Sequence, residues 1–380
     1  MPSGLASGAE VRLSSLRRRY RRLLWITLFV TFDLIIFGAF VRLADAGLGC
    51  PDWPGCYGHF SPLGAMDQIR AEVAVLPDGP VTVFKAWVEM LHRYVASGLG
   101  LMVIVLLWLC WRWRRGAALA GLPERYADGG FAPSLRLAVF SLVWIILQGL
   151  FGMWTVTLRL QPVVVTAHLM GAMILFMALM AQWNRVAAQP VVDGAARAFR
   201  HAARLVLVLI LVQVALGGWV SSNYAALACQ DFPRCQGSFW PSMDLTRGFE
   251  LWRPLGMQAN GMLLPFEALV AIHYVHRLMA YGVFLVAGWL AWKTRHVPGI
   301  RHLARWLGAV LLAQLTTGLA NVFLGWPLLA ALLHTAGAAA LVAIAFMLDF
   351  RVRHAGFQML NETCHHSGAC RARAVALPQG

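Results

Sequence analysis

The chain has 380 residues, of which 59% are hydrophobic and only 13% charged, with a formal net charge of +15. That composition excludes an ordinary water-soluble domain and marks an integral membrane protein. The basic surplus does not signal nucleic-acid binding, because the arginines gather at the ends of apolar runs, where they set topology.

Apolar runs close to the ~20 residues that cross a bilayer occur eight times, at 23–41, 93–111, 135–156, 162–183, 203–222, 270–292, 303–323 and 327–348. Arg12, Arg17, Arg18, Arg19, Arg21 and Arg22 precede the first run, and most other Lys and Arg fall in the segments on the same side. The positive-inside rule therefore predicts that both termini are cytoplasmic, with some attraction to anionic membrane lipid. No small-residue cleavage site precedes the first span, which reads as a retained helix rather than a signal peptide.

Residues 1–22 form a basic cytoplasmic N-terminus. The first span carries Asp33, an acid in apolar surroundings and so a functional candidate by default. It leads into an outer loop that runs to about residue 85 and holds Cys50 and Cys56. On the oxidising side these read as a disulfide. The alternative is unpaired or metal-binding thiols, although no histidine cluster or second cysteine pair in the loop supports a zinc site. Glu89, His92 and Arg93 stand at the mouth of span two, Gln148 lies in span three and His168 in span four. After a cytoplasmic linker at 184–202 the pattern returns. A second outer loop carries Cys229 and Cys235, span six opens with His273, His276 and Arg277, and spans seven and eight contain Gln314 and His334. The polar tail at 349–380 includes Cys364, His365, His366 and Cys370, more simply incidental than a soft-metal site.

The recurrence is an internal repeat. Gly38, Cys50 and Cys56 match Gly217, Cys229 and Cys235 at an offset of 179. Glu89, His92 and Arg93 match His273, His276 and Arg277 at 184, and Gln148, Gly152 and His168 match Gln314, Gly318 and His334 at 166. Each half has four spans, an even number, so both halves enter the membrane the same way round. The predicted fold is all-α: two tandem four-helix bundles, 23–183 and 203–348, related by a pseudo-two-fold along the membrane normal.

His92 and His276 begin their spans at the outer end, and His168 and His334 lie roughly 10 Å below the outer surface at ~1.5 Å per residue. All four therefore fall in the outer half of the membrane, one pair per bundle. Two imidazoles facing each other across a four-helix bundle are the axial ligand set of a haem iron, and the bundle core supplies an apolar slot for the ring. A single such histidine is more simply a core residue bonded to a carbonyl, but four in matched pairs favour ligation. Arg93 and Arg277 are candidates for pairing with haem propionates, with ordinary snorkelling as the alternative. Gln148 and Gln314 are placed to bridge helices or to line the haem slots. Only the first half carries a carboxylate, Glu89, one turn from its histidine, where it can act as general base or stabilise developing positive charge. The halves are thus expected to have diverged, the first for chemistry and the second for electron transfer.

These stretches together resemble the haem A synthase family: Gly38-Ala39-Phe40-Val41-Arg42-Leu43, Gly47 through Gly58 with both cysteines, Glu89-x-x-His92-Arg93, Thr166-Ala167-His168-Leu169, Val275-His276-Arg277 and Leu333-His334-Thr335. The resemblance spans about residues 20–350. It implies eight spans in a bacterial plasma (inner) membrane, and oxidation of the C8 methyl of haem O to a formyl group through a hydroxymethyl intermediate, with water as oxygen source. It further implies that His276 and His334 hold a permanent haem b, that His92 and His168 bracket the substrate haem O, and that Glu89 is the catalytic carboxylate. No separate non-haem metal is expected. The expected partners are haem O, membrane lipid, a haem O synthase, oxidase assembly factors and an electron acceptor the sequence does not identify. The Cys229/Cys235 pair occurs in only part of the family, and the Cys/His tail lies outside its pattern.

Two other readings compete. A non-catalytic di-haem cytochrome b-like electron-transfer protein explains the four histidines but not a carboxylate confined to one half. A haem or lipid transporter would need an open path and hinged, broken helices that the sequence does not display.

Overall fold

A computed structural model describes residues 8–77, 79–121, 132–187 and 189–355. Cys364, His365, His366 and Cys370 lie outside the described residues. Eight helices of the described residues are long and apolar enough to cross a membrane, and this is a multi-pass membrane protein. One precedes and seven follow a short helix in the first disulfide-bearing loop region. The order is α1 (Gly8–Leu43), the short α2 (Met66–Val75), α3 (Val83–Leu119), α4 (Leu135–Thr157), α5 (Pro162–Val186), α6 (Arg200–Ser222), α7 (Phe266–Thr294), α8 (Arg301–Phe323) and α9 (Leu328–Arg353).

Helix boundaries follow local chemistry. Thr82 caps α3 by accepting from Lys85 N at 3.1 Å, and Pro162 opens α5, where its missing N–H costs nothing. Two helices outrun the apolar windows. With 36 and 37 residues, α1 and α3 each extend on the order of 55 Å, well beyond a ~30 Å hydrocarbon core. The excess of α1 is the basic N-terminal segment, which stays helical because Leu13 packs against Trp113 and Ala117 of α3. The excess at the start of α3 contains Glu89 and His92, so both lie inside a helix and not at its mouth.

In the first half α1 packs on α3, α3 on α4, α4 on α5, and α5 back on α1; α6, α7, α8 and α9 close in the same sequence. The halves meet through α5 against α6 and α9, and through α1 against α9. One apolar core runs through this junction, from Ile35, Met173 and Phe176 to Val206, Ile210, Val214, Leu341 and Val342. At the end nearest the disulfide loops, Arg42 donates to the Ser221 carbonyl at 2.7 Å and Tyr224 donates to Asp45 Oδ1 at 2.6 Å. The guanidinium of Arg42 also covers the Tyr224 ring at 3.7 Å. Ser221 and Tyr224 stand at the repeat positions of Arg42 and Asp45, so equivalent residues bind each other across the junction. Burial, and the bond to Asp45, push the Tyr224 hydroxyl above the ordinary phenol range, which keeps it protonated as the donor.

Outward faces carry large apolar side chains such as Trp25, Phe29, Leu101, Ile104, Ile146, Val208, Leu285 and Leu312, as lipid contact requires. Arg112 over Trp108 and Arg295 over Trp292 place cation–aromatic pairs at the ends of α3 and α7, as expected at a membrane–water boundary. Asp33 is on the exposed side of α1 and makes no hydrogen bond or ion pair among the described residues.

Candidate functional site

Both cysteine pairs are disulfides, Cys50–Cys56 and Cys229–Cys235, each with its Cα atoms 4.8 Å apart. Each closes a short loop folded the same way. Asp52 accepts from Tyr57 N and Gly58 N at 2.6 and 2.8 Å, and Asp231 accepts from Gln236 N and Gly237 N at 2.9 and 3.0 Å. An arginine from the helix below locks each loop. Arg93 Nη1 donates to the carbonyls of Asp52 and Gly55 at 2.9 and 2.6 Å; Arg277 donates to those of Asp231 and Cys229 at 2.7 and 2.6 Å. Both guanidiniums, the sequence candidates for haem propionates, are turned into these loops, where several carbonyls converge on one delocalised cation.

The two loops differ in what they present to the helix. Glu89 is buried, with Arg93 paired to Oε1 and the Cys50 N–H donating to Oε2 at 2.9 Å. The approach that makes the second bond needs a glycine: a Cβ on Gly49 would lie 2.5 Å from the Lys85 carbonyl carbon. In the second half the matching position is Ala228, and Arg277 donates to His273 Nε2 at 3.2 Å. The first half therefore holds a caged carboxylate one turn from His92, and the second a histidine one turn from His276.

The four histidines sit half-buried inside the helical rings. His92 is an electrostatic neighbour of His168, and His276 of His334, so each half brings its two imidazoles together. Each ring lies over a glycine of an adjacent helix. A Cβ on Gly38 would be 3.2 Å from His92 Nε2, and one on Gly217 would be 3.2 Å from His276 Cε1. Gly152 and Gly318 stand 3.7 and 3.4 Å from His168 and His334 in the same sense. Sequence reading used these glycines only as repeat markers; their offset from the histidines in both halves was the signal that they form cradles.

Behind the rings, Gln314 donates to the His334 carbonyl at 2.9 Å and so bridges α8 to α9. The Gln148 amide is buried against Gly171 with neither polar atom partnered. A Cβ on Gly171 would fall 1.9 Å from Gln148 Nε2, against 3.1 Å between Gly337 and Gln314. Gly171→Ala should therefore cost about 1–3 kcal/mol of stability by overpacking, clearly more than Gly337→Ala. Thermal unfolding in detergent checks this, and Gln148→Ala in the same chain should restore most of the loss, since the two positions share one contact.

Half-buried imidazoles brought together in pairs, rings laid over side-chain-free backbone, His168 Nδ1 without a partner and apolar surroundings together fit a haem between the histidines of each half. Two further polar contacts occur in the second half alone: Gln213 beside His276, and Thr317 beside His334 at 3.0 Å. Neither was singled out from sequence as a site residue, because neither has a like residue in the first half.

The sequence profile of a family described as cytochrome oxidase assembly protein matches residues 21–346. A protein named heme A synthase from Shewanella oneidensis is 34% identical over 334 residues, covering 87% of this chain and 96% of its own length. Proteins of the same name from Mesorhizobium japonicum and Caulobacter vibrioides are 29% and 28% identical over 340 and 372 residues, with 84% and 87% of this chain covered and 86% and 95% of theirs.

Proposed function

The chain belongs to the haem A synthase family of cytochrome oxidase assembly proteins, and from that premise we propose that it oxidises the C8 methyl of haem O to the formyl group of haem A. The observation that carries this reading is a carboxylate caged beside one of two matched histidine pairs. In the proposal residues 23–183 form the catalytic bundle, where His92 and His168 bracket haem O, and residues 203–348 form the bundle in which His276 and His334 hold a haem b. The pairing of Arg42 with Ser221 and of Tyr224 with Asp45 supports a pseudo-two-fold between the bundles, since equivalent positions meet only near such an axis. The basic-residue pattern supports both termini being cytoplasmic and the histidines lying toward the outer face, and the bacterial source of its relatives supports a bacterial inner membrane.

Conversion of the methyl to hydroxymethyl takes the oxygen of one water and releases two electrons and two protons; conversion to formyl releases two more of each. The residues of this chain contribute binding, orientation and proton handling. Glu89, held by Arg93 and the Cys50 N–H, stabilises positive charge developing at the substrate carbon or accepts its proton. Arg93 and Arg277 act as anchors of the outer loops that keep bulk water from the sites. The haem b, when bound, supplies one-electron relay toward an acceptor. A haem O synthase and oxidase assembly factors are its proposed neighbours.

The test is chromatography with mass detection of haems extracted from a host that makes haem O but no haem A. Expression of this chain should yield haem A. Haem O left unchanged, with folded protein carrying two permanent b-type haems, would replace the synthase by the electron-transfer reading.

A further inference from the structure

The two histidine pairs are alike in helix, depth and glycine cradle, and unlike in what their ring nitrogens touch. In the second half the Thr317 hydroxyl lies 3.0 Å from both the Ala313 carbonyl and His334 Nδ1. When its proton goes to the carbonyl four residues back, as is common for a helical threonine, the hydroxyl is left to accept from the Nδ1–H of a His334 that ligates through Nε2. Gln213 acts on the partner ring. Its Nε2 donates to the His276 carbonyl at 3.1 Å and sits 3.2 Å from His276 Nδ1 and 3.3 Å from His276 Nε2, while its Oε1 is buried without a donor. A His276 ring ligating through Nε2 carries its proton on Nδ1, and the unpartnered amide oxygen of Gln213 is the acceptor that proton needs.

In the first half Leu34 stands at the position of Gln213 and Phe151 at that of Thr317. His168 Nδ1 is buried with no partner. The His92 ring makes no hydrogen bond among the described residues and has Phe37 edge-on at 5.6 Å. Hydrogen bonding to the far nitrogen of a metal-ligating histidine fixes its tautomer, orients the ring and raises its basicity.

We propose that Gln213 and Thr317 are positioning residues that make the second half a retaining haem site, and that their replacement by Leu34 and Phe151 makes the first half a releasing one. This rests on the division of labour proposed above and deepens it: one fold, duplicated, holds a cofactor in one copy and exchanges a substrate in the other, with two side chains deciding which.

The test uses the purified full-length protein. Gln213→Leu and Thr317→Val are followed by the rate at which the resident haem passes to excess apomyoglobin, and by its midpoint potential. Loss of such a bond weakens metal binding about 10–100-fold, so transfer should quicken by a factor in that range. The potential should rise, because an imidazole whose Nδ1–H loses its acceptor donates less charge to ferric iron. The reciprocal chain Leu34→Gln with Phe151→Thr should co-purify with a second haem that transfers more slowly than the wild-type one. Unchanged transfer rates and potentials in folded loss variants would overturn the proposal. If both loss variants fail to fold, the reciprocal chain decides it, with unchanged release counting against. Failure of the underlying reading shows separately: the resident haem would then be lost from His92→Ala and kept by His276→Ala.

Discussion

Glu89→Gln should leave a folded, haem-binding protein that makes haem A about 10²–10⁴-fold more slowly, the usual cost of removing a positioned acid–base or electrostatic group. The substitution keeps the shape, and the amide oxygen still accepts from the Cys50 N–H. It removes the charge that Arg93 pairs with, but Arg93 stays bound to the Asp52 and Gly55 carbonyls at 2.9 and 2.6 Å, so the disulfide loop has no reason to open. Glu89→Ala should lose at least as much activity. Quantifying haem O, hydroxymethyl haem and haem A in membranes expressing each variant at equal level separates the steps. Accumulated haem O alone places the carboxylate at the first oxidation, and accumulated hydroxymethyl haem at the second. Wild-type yields of haem A from Glu89→Gln would remove the carboxylate from the chemistry.

The eight spans and the paired histidines were legible because apolar length and repeat spacing are carried by residue type alone. The helical start of α3 was not. Lys85, Glu89, His92 and Arg93 dilute the apolar window, whereas the helix there is sustained by the Thr82 cap and by the Cys50–Cys56 loop packed on it. The loop contacts of Arg93 and Arg277 were hidden for a related reason: a guanidinium beside a candidate ligand histidine reads equally well as a propionate partner or a snorkelling side chain, and the carbonyls it binds lie 38 to 48 residues away in sequence. Gln213 has no like residue in the first half and so fell outside the repeat, although its carbonyl and ring contacts join α6 to α7. What a repeat conserves is visible as a repeat; what distinguishes its two copies requires knowing which ring each side chain meets.

That asymmetry sets the expected outcome for the ligands themselves. His276→Ala or His334→Ala should abolish the resident haem, so that the pyridine haemochrome of purified protein falls close to zero, and haem A production should vanish with it. His92→Ala or His168→Ala should abolish haem A production as fully while the resident haem persists at the wild-type stoichiometry. The argument is geometric: the two pairs lie in separate helical rings, α1 with α3 to α5 and α6 with α7 to α9, so losing one pair leaves the other's cradle of glycines intact. A chain that loses haem from all four variants alike would mean that the bundles bind cooperatively. One that keeps its haem in His276→Ala and loses it in His92→Ala would exchange the roles of the halves, and Glu89 would then sit beside the permanent haem instead of the substrate.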